Sequence, residues 1–301
     1  GPGLALKGEA LGLAIMTELP LVVVDVQRGG PSTGLPTKTE QSDLMQALYG
    51  RNGESPLVIV ATKSPADCFT MAYRASKIAL EHITPVLLLS DGYVANGSQP
   101  WKIQKTEDME DIKPHVVDPS MLNWNPYERD AASLARYWAY PGMEGYEHRV
   151  GGLEKDELTG DVSYTPENHQ KMVNIREEKV QRVANYIPEL EVDGAQEGDL
   201  LVVGWGGTYG SLLTAINQCT GNDKKVGLAH FSYIKPLPRN TADVFKKFKK
   251  ILVCELNNGQ FVRYLRAEHP EFQYLQYNKT QGLPFRVAEL THAINQVLEV
   301  K

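Results

Sequence analysis

The sequence predicts an α/β protein with two open, mostly parallel sheets. Three observations carry that expectation. Short continuous apolar runs recur through the first hundred residues, helical stretches separate them, and the same alternation resumes after residue 198. Continuous apolar runs bounded by turn residues suit strands of a parallel sheet covered on both faces. Strand–helix alternation at this spacing argues for βαβ units.

The elements follow in order. "LPLVVVDV" (19–26), "PLVIVAT" (56–62) and "TPVLLLS" (84–90) read as strands. Between them lie two helical stretches, "TEQSDLMQALYG" (39–50) and "SPADCFTMAYRASKIALEH" (64–82). The second opens on Ser64 as N-cap with Pro65 at the first helical position. Residues 101–167 mix Pro, Gly, Trp, Tyr and charges without a sustained period. Trp124, Tyr127, Tyr137, Trp138, Tyr140 and Tyr146 make this stretch too aromatic for a disordered linker, so an ordered arm is expected. "NHQKMVNIREEKVQRVANYI" (168–187) then predicts an amphipathic helix with Val173, Val180, Val183, Ala184 and Ile187 on one stripe. After residue 198 the strands are "DLLVVGW", "KVGLAHF", "KILVCEL" and "FQYLQY". The helices are "TYGSLLTAINQC", "TADVFKKF", "GQFVRYLRAE" and a terminal one with Val287, Leu290, Ile294 and Val297 at 3/4 spacing. The expected organisation is a first domain over 1–115, a connecting arm and helix over 116–195, and a second domain over 196–301.

Bulk composition narrows the function classes. The 301 residues are 42% apolar and 23% charged, as in ordinary globular proteins. A net charge of −6 argues against a nucleic-acid or anionic-membrane surface. No apolar run approaches a bilayer-spanning length, and no signal peptide is visible, which leads to a cytoplasmic expectation. The start on Gly-Pro-Gly without methionine suggests a fragment, a processed chain or a tag remnant. Cys68, Cys219 and Cys254 are far apart and form no CxxC pair, and the histidines lack HxxxH spacing. Neither a zinc site nor an iron–sulfur cluster can be drawn from them.

One loop asks for a ligand. "QRGGPSTGLPTKTEQSDL" (27–44) leaves the first strand at its carboxyl end, where open α/β sheets bind ligands. Gly29, Gly30 and Gly34 allow close backbone approach, and Pro31 and Pro36 stiffen the excursion. Arg28 offers a planar fork suited to a carboxylate or phosphate, with Ser32, Thr33, Thr37 and Thr39 adding hydroxyls. The plainer alternatives are that Arg28 pairs with Asp25 or another surface carboxylate, and that Thr37 and Glu40 form a capping box on the helix that follows. From chemistry alone the loop is a small-anion site.

At these residues the sequence resembles the α subunit of 2-oxoacid:ferredoxin oxidoreductases, of the 2-oxoglutarate type. The resemblance rests on "LALKGEALGLAIMTELPLVVVDVQRGGPSTGLPTKTEQSDL", "LLLSDGYVANGSQPW", "GGLEKDELTG" with "ENHQKMVNIREEKV", "ELNNGQFVRYLR" and "GLPF", and covers nearly the whole chain. It implies a truncated thiamine-diphosphate pyrimidine-type domain followed by a transketolase C-terminal-like domain. It further implies oxidative decarboxylation of 2-oxoglutarate or a related 2-oxo acid with CoA to acyl-CoA, CO2 and reduced ferredoxin. Thiamine diphosphate and Mg2+ would be shared with or held by a β subunit, which would also carry a 4Fe-4S iron–sulfur cluster. Ferredoxin would be the electron acceptor. By motif position, Arg28 would hold the 2-oxo-acid carboxylate, with Thr33 and Thr37 lining the same pocket. The family's Tyr-Pro-Ile-Thr-Pro-type turn and its cofactor-activating glutamate are absent from the sequence, and neither Glu9 nor Glu18 takes that role. The chain is therefore expected to be inactive alone. Two other readings stand beside this one. One is a non-catalytic assembly subunit of such a complex. The other is an NAD-binding protein using "GWGGTYG" (204–210), which reads equally as a glycine-rich strand-to-helix turn.

Overall fold

The structure is a computed structural model that describes residues 1–121, 123–219 and 224–299. Its strands are β1 (Leu21–Gln27), β2 (Val58–Ala61), β3 (Pro85–Asp91), β4 (Val192–Gly194), β5 (Gly198–Trp205), β6 (Val226–Phe231), β7 (Tyr233–Lys235), β8 (Phe248–Glu255) and β9 (Tyr274–Asn278). The α-helices are α1 (Pro2–Ala5), α2 (Gly8–Thr17), α3 (Leu44–Tyr49), α4 (Asp67–His82), α5 (Gly92–Ala95), α6 (Pro166–Arg182), α7 (Tyr209–Cys219), α8 (Thr241–Phe245), α9 (Gln260–Glu268) and α10 (Val287–Glu299). The strands form one sheet ordered β1-β3-β2-β7 and another ordered β4-β6-β5-β8-β9. Pairing is parallel except where β7 meets β2 and β4 meets β6.

Period-two alternation sorts the strand side chains into separate cores. Val58, Val60, Val86 and Leu88 pack under α4, whose Met71, Ala75, Ile78 and Ala79 form its buried stripe. The alternate residues Ile59, Ala61, Leu87 and Leu89 face the other way. They join Leu11 and Ile15 of α2, Leu44 and Leu48 of α3, and Leu201, Val203 and Trp205 of β5 in a core shared by both sheets. The opposite face of the second sheet, with Leu200, Val202, Leu228 and Leu252, packs on α7 and α10. Each fully buried Val, Leu or Ile contributes roughly 1.5–3 kcal/mol, so this shared core binds the two sheets firmly. β7 adds to that union: it lies in the second half of the sequence yet pairs with β2 through Ile59↔Lys235 and Val60↔Tyr233.

Several local expectations are revised. β2 and β3 are buried along their length, but β1 is an edge strand whose Val24 and Val26 are exposed, so that run is covered on one face only. α4 begins at Asp67 rather than Pro65, although Ser64 still accepts the Asp67 N–H through Oγ at 3.3 Å and through its carbonyl at 3.1 Å. α3 begins at Leu44, so Thr37 and Glu40 do not cap it. The reason is tertiary: the Gln41 N–H bonds the Leu256 carbonyl and the Gln41 carbonyl accepts from Asn257, which removes both groups from a helical ladder.

The arm is ordered by burial and by charge. Tyr127, Ala135 and Arg136 are buried, and short bridges join Val116 to Trp138, Arg129 to Arg136 and Lys155 to Val162. On α6 the buried residues are Met172, Arg176, Lys179 and Val180, with Val183 just beyond, while Val173, Ala184 and Ile187 are only half-buried. Two cations thus share the inner face of a helix whose expected stripe held only Val, Ala and Ile. They are tolerated because Arg176 pairs with Glu154 at 2.9 Å and Lys179 with Glu18 at 2.5 Å.

Candidate active site

β1 and β3 end in register, Gln27 opposite Asp91, so the 28–43 loop leaves from the carboxyl edge of the first sheet. Gln27 sets its two ends. Its Nε2 donates to the Ser90 carbonyl at 3.1 Å, and its Oε1 accepts the Asp43 N–H at 3.1 Å. The loop closes on itself through Gly29 N–H to the Lys38 carbonyl at 2.8 Å and Leu35 N–H to the Gly29 carbonyl at 2.9 Å. Gly34 has φ +45°, and a Cβ there would lie 2.4 Å from the Gly29 carbonyl oxygen, so only glycine fits. Gly30 and Pro31 are joined by a cis peptide.

The carboxyl edge of the second sheet meets this loop from the other side; buried Gln41 and Asp91 bridge the seam, and buried Glu255 braces its second-sheet side. Gln41 donates from Nε2 to the Trp205 carbonyl at 2.7 Å and accepts the Leu256 N–H at 3.0 Å. Asp91 accepts the N–H groups of Tyr93 and Val94 at the start of α5, the Thr39 hydroxyl at 3.0 Å, and the Gly207 N–H at 3.0 Å. Glu255, fully buried, accepts the N–H groups of Phe261 and Val262 at 2.7 and 3.0 Å at the start of α9. Burial pushes the Glu255 carboxyl above the ordinary range against those hydrogen bonds.

This seam reinterprets the glycine-rich turn. A Cβ on Gly207 would meet Asp91 Oδ2 at 2.4 Å, one on Gly206 the Gln41 amide at 2.6 Å, and one on Gly204 the Leu212 side chain at 2.2 Å. The turn is therefore small because the first sheet packs onto it, and the Gly207 N–H already points at a carboxylate of the same chain. His230 lies near the end of β6. It lies edge-on to Tyr209 and is held down to about 3 by burial, then by Lys63.

Between the loop and the second half lies a cavity of about 510 Å³ lined by Arg28, Gly30, Pro31, Ser32, Glu40, Ser42, Asp43 and Gln46 of the first half and by Asn257, Asn258, Gln260 and Thr280 of the second. Thr33, Thr37, Gly29 and Gly34 lie outside that lining. Arg28 does not pair with Asp25. Its guanidinium folds over its own loop, donating from Nη1 to the carbonyls of Thr33 at 2.5 Å and Gly29 at 3.4 Å, and from Nη2 to that of Ser32 at 3.2 Å. Against the five N–H donors of an arginine, this leaves Nε–H and one Nη2–H without a protein acceptor among the described residues. Thr39 is engaged by Asp91, and Thr37 is exposed. The cavity is not purely cationic, since Glu40 and Asp43 share it with Arg28. Asp91, Gln41 and Glu255 were not singled out from the sequence. The signal for Asp91 was present, as an aspartate ending an apolar run just before a short helix in "LLLSDGYVA".

Among the described residues no group of three or more His, Cys, Asp and Glu side chains is placed to hold a metal ion. Cys219 and Cys254 are buried and Cys68 is half-buried, all three as free thiols. No described helix is long and apolar enough to cross a membrane.

Residues 1–172 match the family described as pyruvate flavodoxin/ferredoxin oxidoreductase, thiamine diphosphate-binding. The 2-oxoglutarate oxidoreductase subunit KorA of Mycobacterium tuberculosis is 47% identical over 299 residues, which is 99% of this chain and 45% of that protein. The 2-oxoglutarate synthase subunit KorA of Methanothermobacter marburgensis is 31% identical over 261 residues, 86% of this chain and 68% of that protein. Among solved structures, the 2-oxoglutarate:ferredoxin oxidoreductase from Magnetococcus marinus, with 2-oxoglutarate, coenzyme A and succinyl-CoA bound, superimposes with a TM-score of 0.92 at 35% identity, over 99% of this chain and 52% of that one. The chain thus spans about half the length of the mycobacterial relative and of the solved structure.

Proposed function

Because the chain belongs to the pyruvate flavodoxin/ferredoxin oxidoreductase family, in its thiamine diphosphate-binding part, we propose that it serves as the α-type portion of a 2-oxoglutarate:ferredoxin oxidoreductase. The reaction is oxidative decarboxylation of 2-oxoglutarate with CoA, giving succinyl-CoA and CO2 and passing electrons to ferredoxin. The observation that supports this best is the likeness over 99% of the chain to an oxidoreductase whose structure holds 2-oxoglutarate and CoA.

Within that reading, the carboxyl-edge cavity receives the acid, and the two uncommitted N–H groups of Arg28 take its carboxylate. A guanidinium already held by three loop carbonyls is pre-positioned, so little rotamer freedom is lost on binding. Thr33 contributes through the carbonyl that fixes Arg28. Thr37 reaches the acid only if the loop closes further. Thiamine diphosphate, when bound, supplies the carbanion chemistry of decarboxylation. In this reading Mg2+, the diphosphate end of the cofactor and the iron–sulfur cluster would be held by a β-type subunit. Mixing the chain with such a subunit, thiamine diphosphate, Mg2+, 2-oxoglutarate, CoA and a viologen dye should give dye reduction that requires both substrates and both proteins.

A second reading, a non-catalytic assembly subunit, draws support from the inward fold of Arg28 and the carboxylates beside it. It predicts that the partner alone reduces the dye as fast as the mixture does.

A further inference from the structure

A second cavity opens on the far flank of the seam. The Arg28 loop leaves β1, at one edge of the first sheet, whereas this cavity lies beyond the carboxyl end of β2, beside β7 at the other edge. Its volume is about 280 Å³, and it shares no lining residue with the Arg28 cavity. Open α/β sheets take ligands in such a position. One wall belongs to the first half. Lys63 follows β2, and Asp67, Met71 and Arg74 recur on α4 at a spacing that puts them on one face. The other wall is the 188–193 segment, with Glu189, Glu191 and Asp193.

The two walls carry opposite charges that do not meet. Among the described residues neither Lys63 nor Arg74 forms an ion pair, and neither do Glu189, Glu191 and Asp193. Arg74 spends one N–H on the Tyr233 hydroxyl at 3.1 Å, and the Lys63 ammonium sits 4.8 Å from the centre of the Tyr209 ring. Asp67 tempers the first wall, since its Oδ2 accepts the Lys63 N–H at 3.0 Å and its charge acts on both cations. Opposed charges facing each other across so small a cavity would close it if the walls were free. They are not free. β7 pairs with β2 and β4 with β6, while Leu190 is held through its N–H and its carbonyl by the Asn240 side chain, at 2.8 and 3.0 Å. The backbone thus keeps the gap open, which is preorganisation for a ligand that spans it. Such a ligand must offer a carboxylate to Lys63 and Arg74 and an ammonium to the facing acids. With two cations against four carboxylates in the lining, a second positive group is also accommodated. A phosphate or a simple carboxylic acid would satisfy the first wall and be repelled by the second.

We propose that this cavity binds a basic α-amino acid, with its carboxylate on Lys63 and Arg74 and its ammonium groups on the 189–193 wall. The site is independent of the reaction assigned to the Arg28 cavity. Isothermal titration calorimetry of the purified protein with L-lysine should show one saturable site. Cadaverine, which lacks the carboxylate, and 6-aminohexanoate, which lacks the α-ammonium, should each bind about tenfold more weakly or worse. Arg74→Met and Asp193→Asn should weaken L-lysine by a similar factor, whereas Arg28→Ala should bind it as the unaltered protein does. If a variant does not fold, the three ligands compared on the unaltered protein decide. No saturable binding of L-lysine, equal binding of cadaverine, or full affinity in Arg74→Met overturns the proposal, as does loss of binding in a folded Arg28→Ala.

Discussion

Replacing Asp91 by alanine should loosen the joint between the two sheets, and the size of the effect can be worked from its contacts. The side chain is 1% exposed and accepts four hydrogen bonds, two from the first turn of α5, one from Thr39 and one from Gly207. Loss of the helix cap costs about 1 kcal/mol. The Thr39 hydroxyl and the Gly207 N–H are then stranded in the interior at about 1–3 kcal/mol each. Partial relaxation brings the total to about 3–5 kcal/mol. With unfolding entropy near 2.1 cal/mol/K per residue, a 301-residue chain should lose roughly 5–8 °C in melting temperature. Calorimetry measures this directly, and hydrogen exchange should show the Gly207 amide opening faster. Asp91→Asn should lose about half as much, because its one carbonyl oxygen still caps α5. A drop below about 1 °C for Asp91→Ala would refute the view that this carboxylate ties the sheets together.

Other predictions concern the same framework. Burial holds His82 down to about 4, with Lys179 adding to it, and His230 down to about 3. In the unfolded chain both bind protons near pH 6.5, so the unfolded state takes up more protons and stability is full above pH 6.5 and falls as pH drops toward 4. Each histidine should contribute about 1.4 kcal/mol per pH unit there, and His82→Gln should flatten the slope of a pH series of urea midpoints. Glu18→Ala leaves Arg129 and Lys179 buried without their carboxylate and should cost about 3–5 kcal/mol, read as a lowered urea midpoint. Burial alone would raise the Glu18 carboxyl, but the two cations hold it well below the usual carboxylate range, so its contribution should survive at pH 4. Gly207→Ala drives a methyl onto Asp91 Oδ2 and should destabilise by about 1–3 kcal/mol, whereas Gly210→Ala, with nothing within 4 Å, should not.

Much of the fold was legible because it is local. The runs at 57–61, 85–89 and 200–205 are continuously apolar because β2, β3 and the inner part of β5 are buried on both faces. What the sequence concealed depends on contacts between distant residues. β7 is three residues long, too short for any period, and is a strand only because β2 lies beside it. The start of α3 is set by Leu256 and Asn257, 215 and 216 residues from Gln41. The burial of Arg176 and Lys179 carries no sequence signal, because Glu154 and Glu18, which pair with them, sit 22 and 161 residues away. The 27–44 loop was identifiable by composition, and its place at the carboxyl edge followed from the strand before it. Composition could not show that Arg28 would first serve its own loop, nor that Thr39 would belong to Asp91.

The central claim is that Arg28 meets the carboxylate of an incoming 2-oxo acid. Its most direct test is the apparent KM for 2-oxoglutarate of the assembled enzyme carrying Arg28→Ala, measured beside Arg28→Lys. A desolvated pair worth about 2–4 kcal/mol should raise KM by roughly 30- to 1000-fold, with lysine recovering only part because it lacks the planar fork. An unchanged KM in both variants, at full assembly, would contradict the claim.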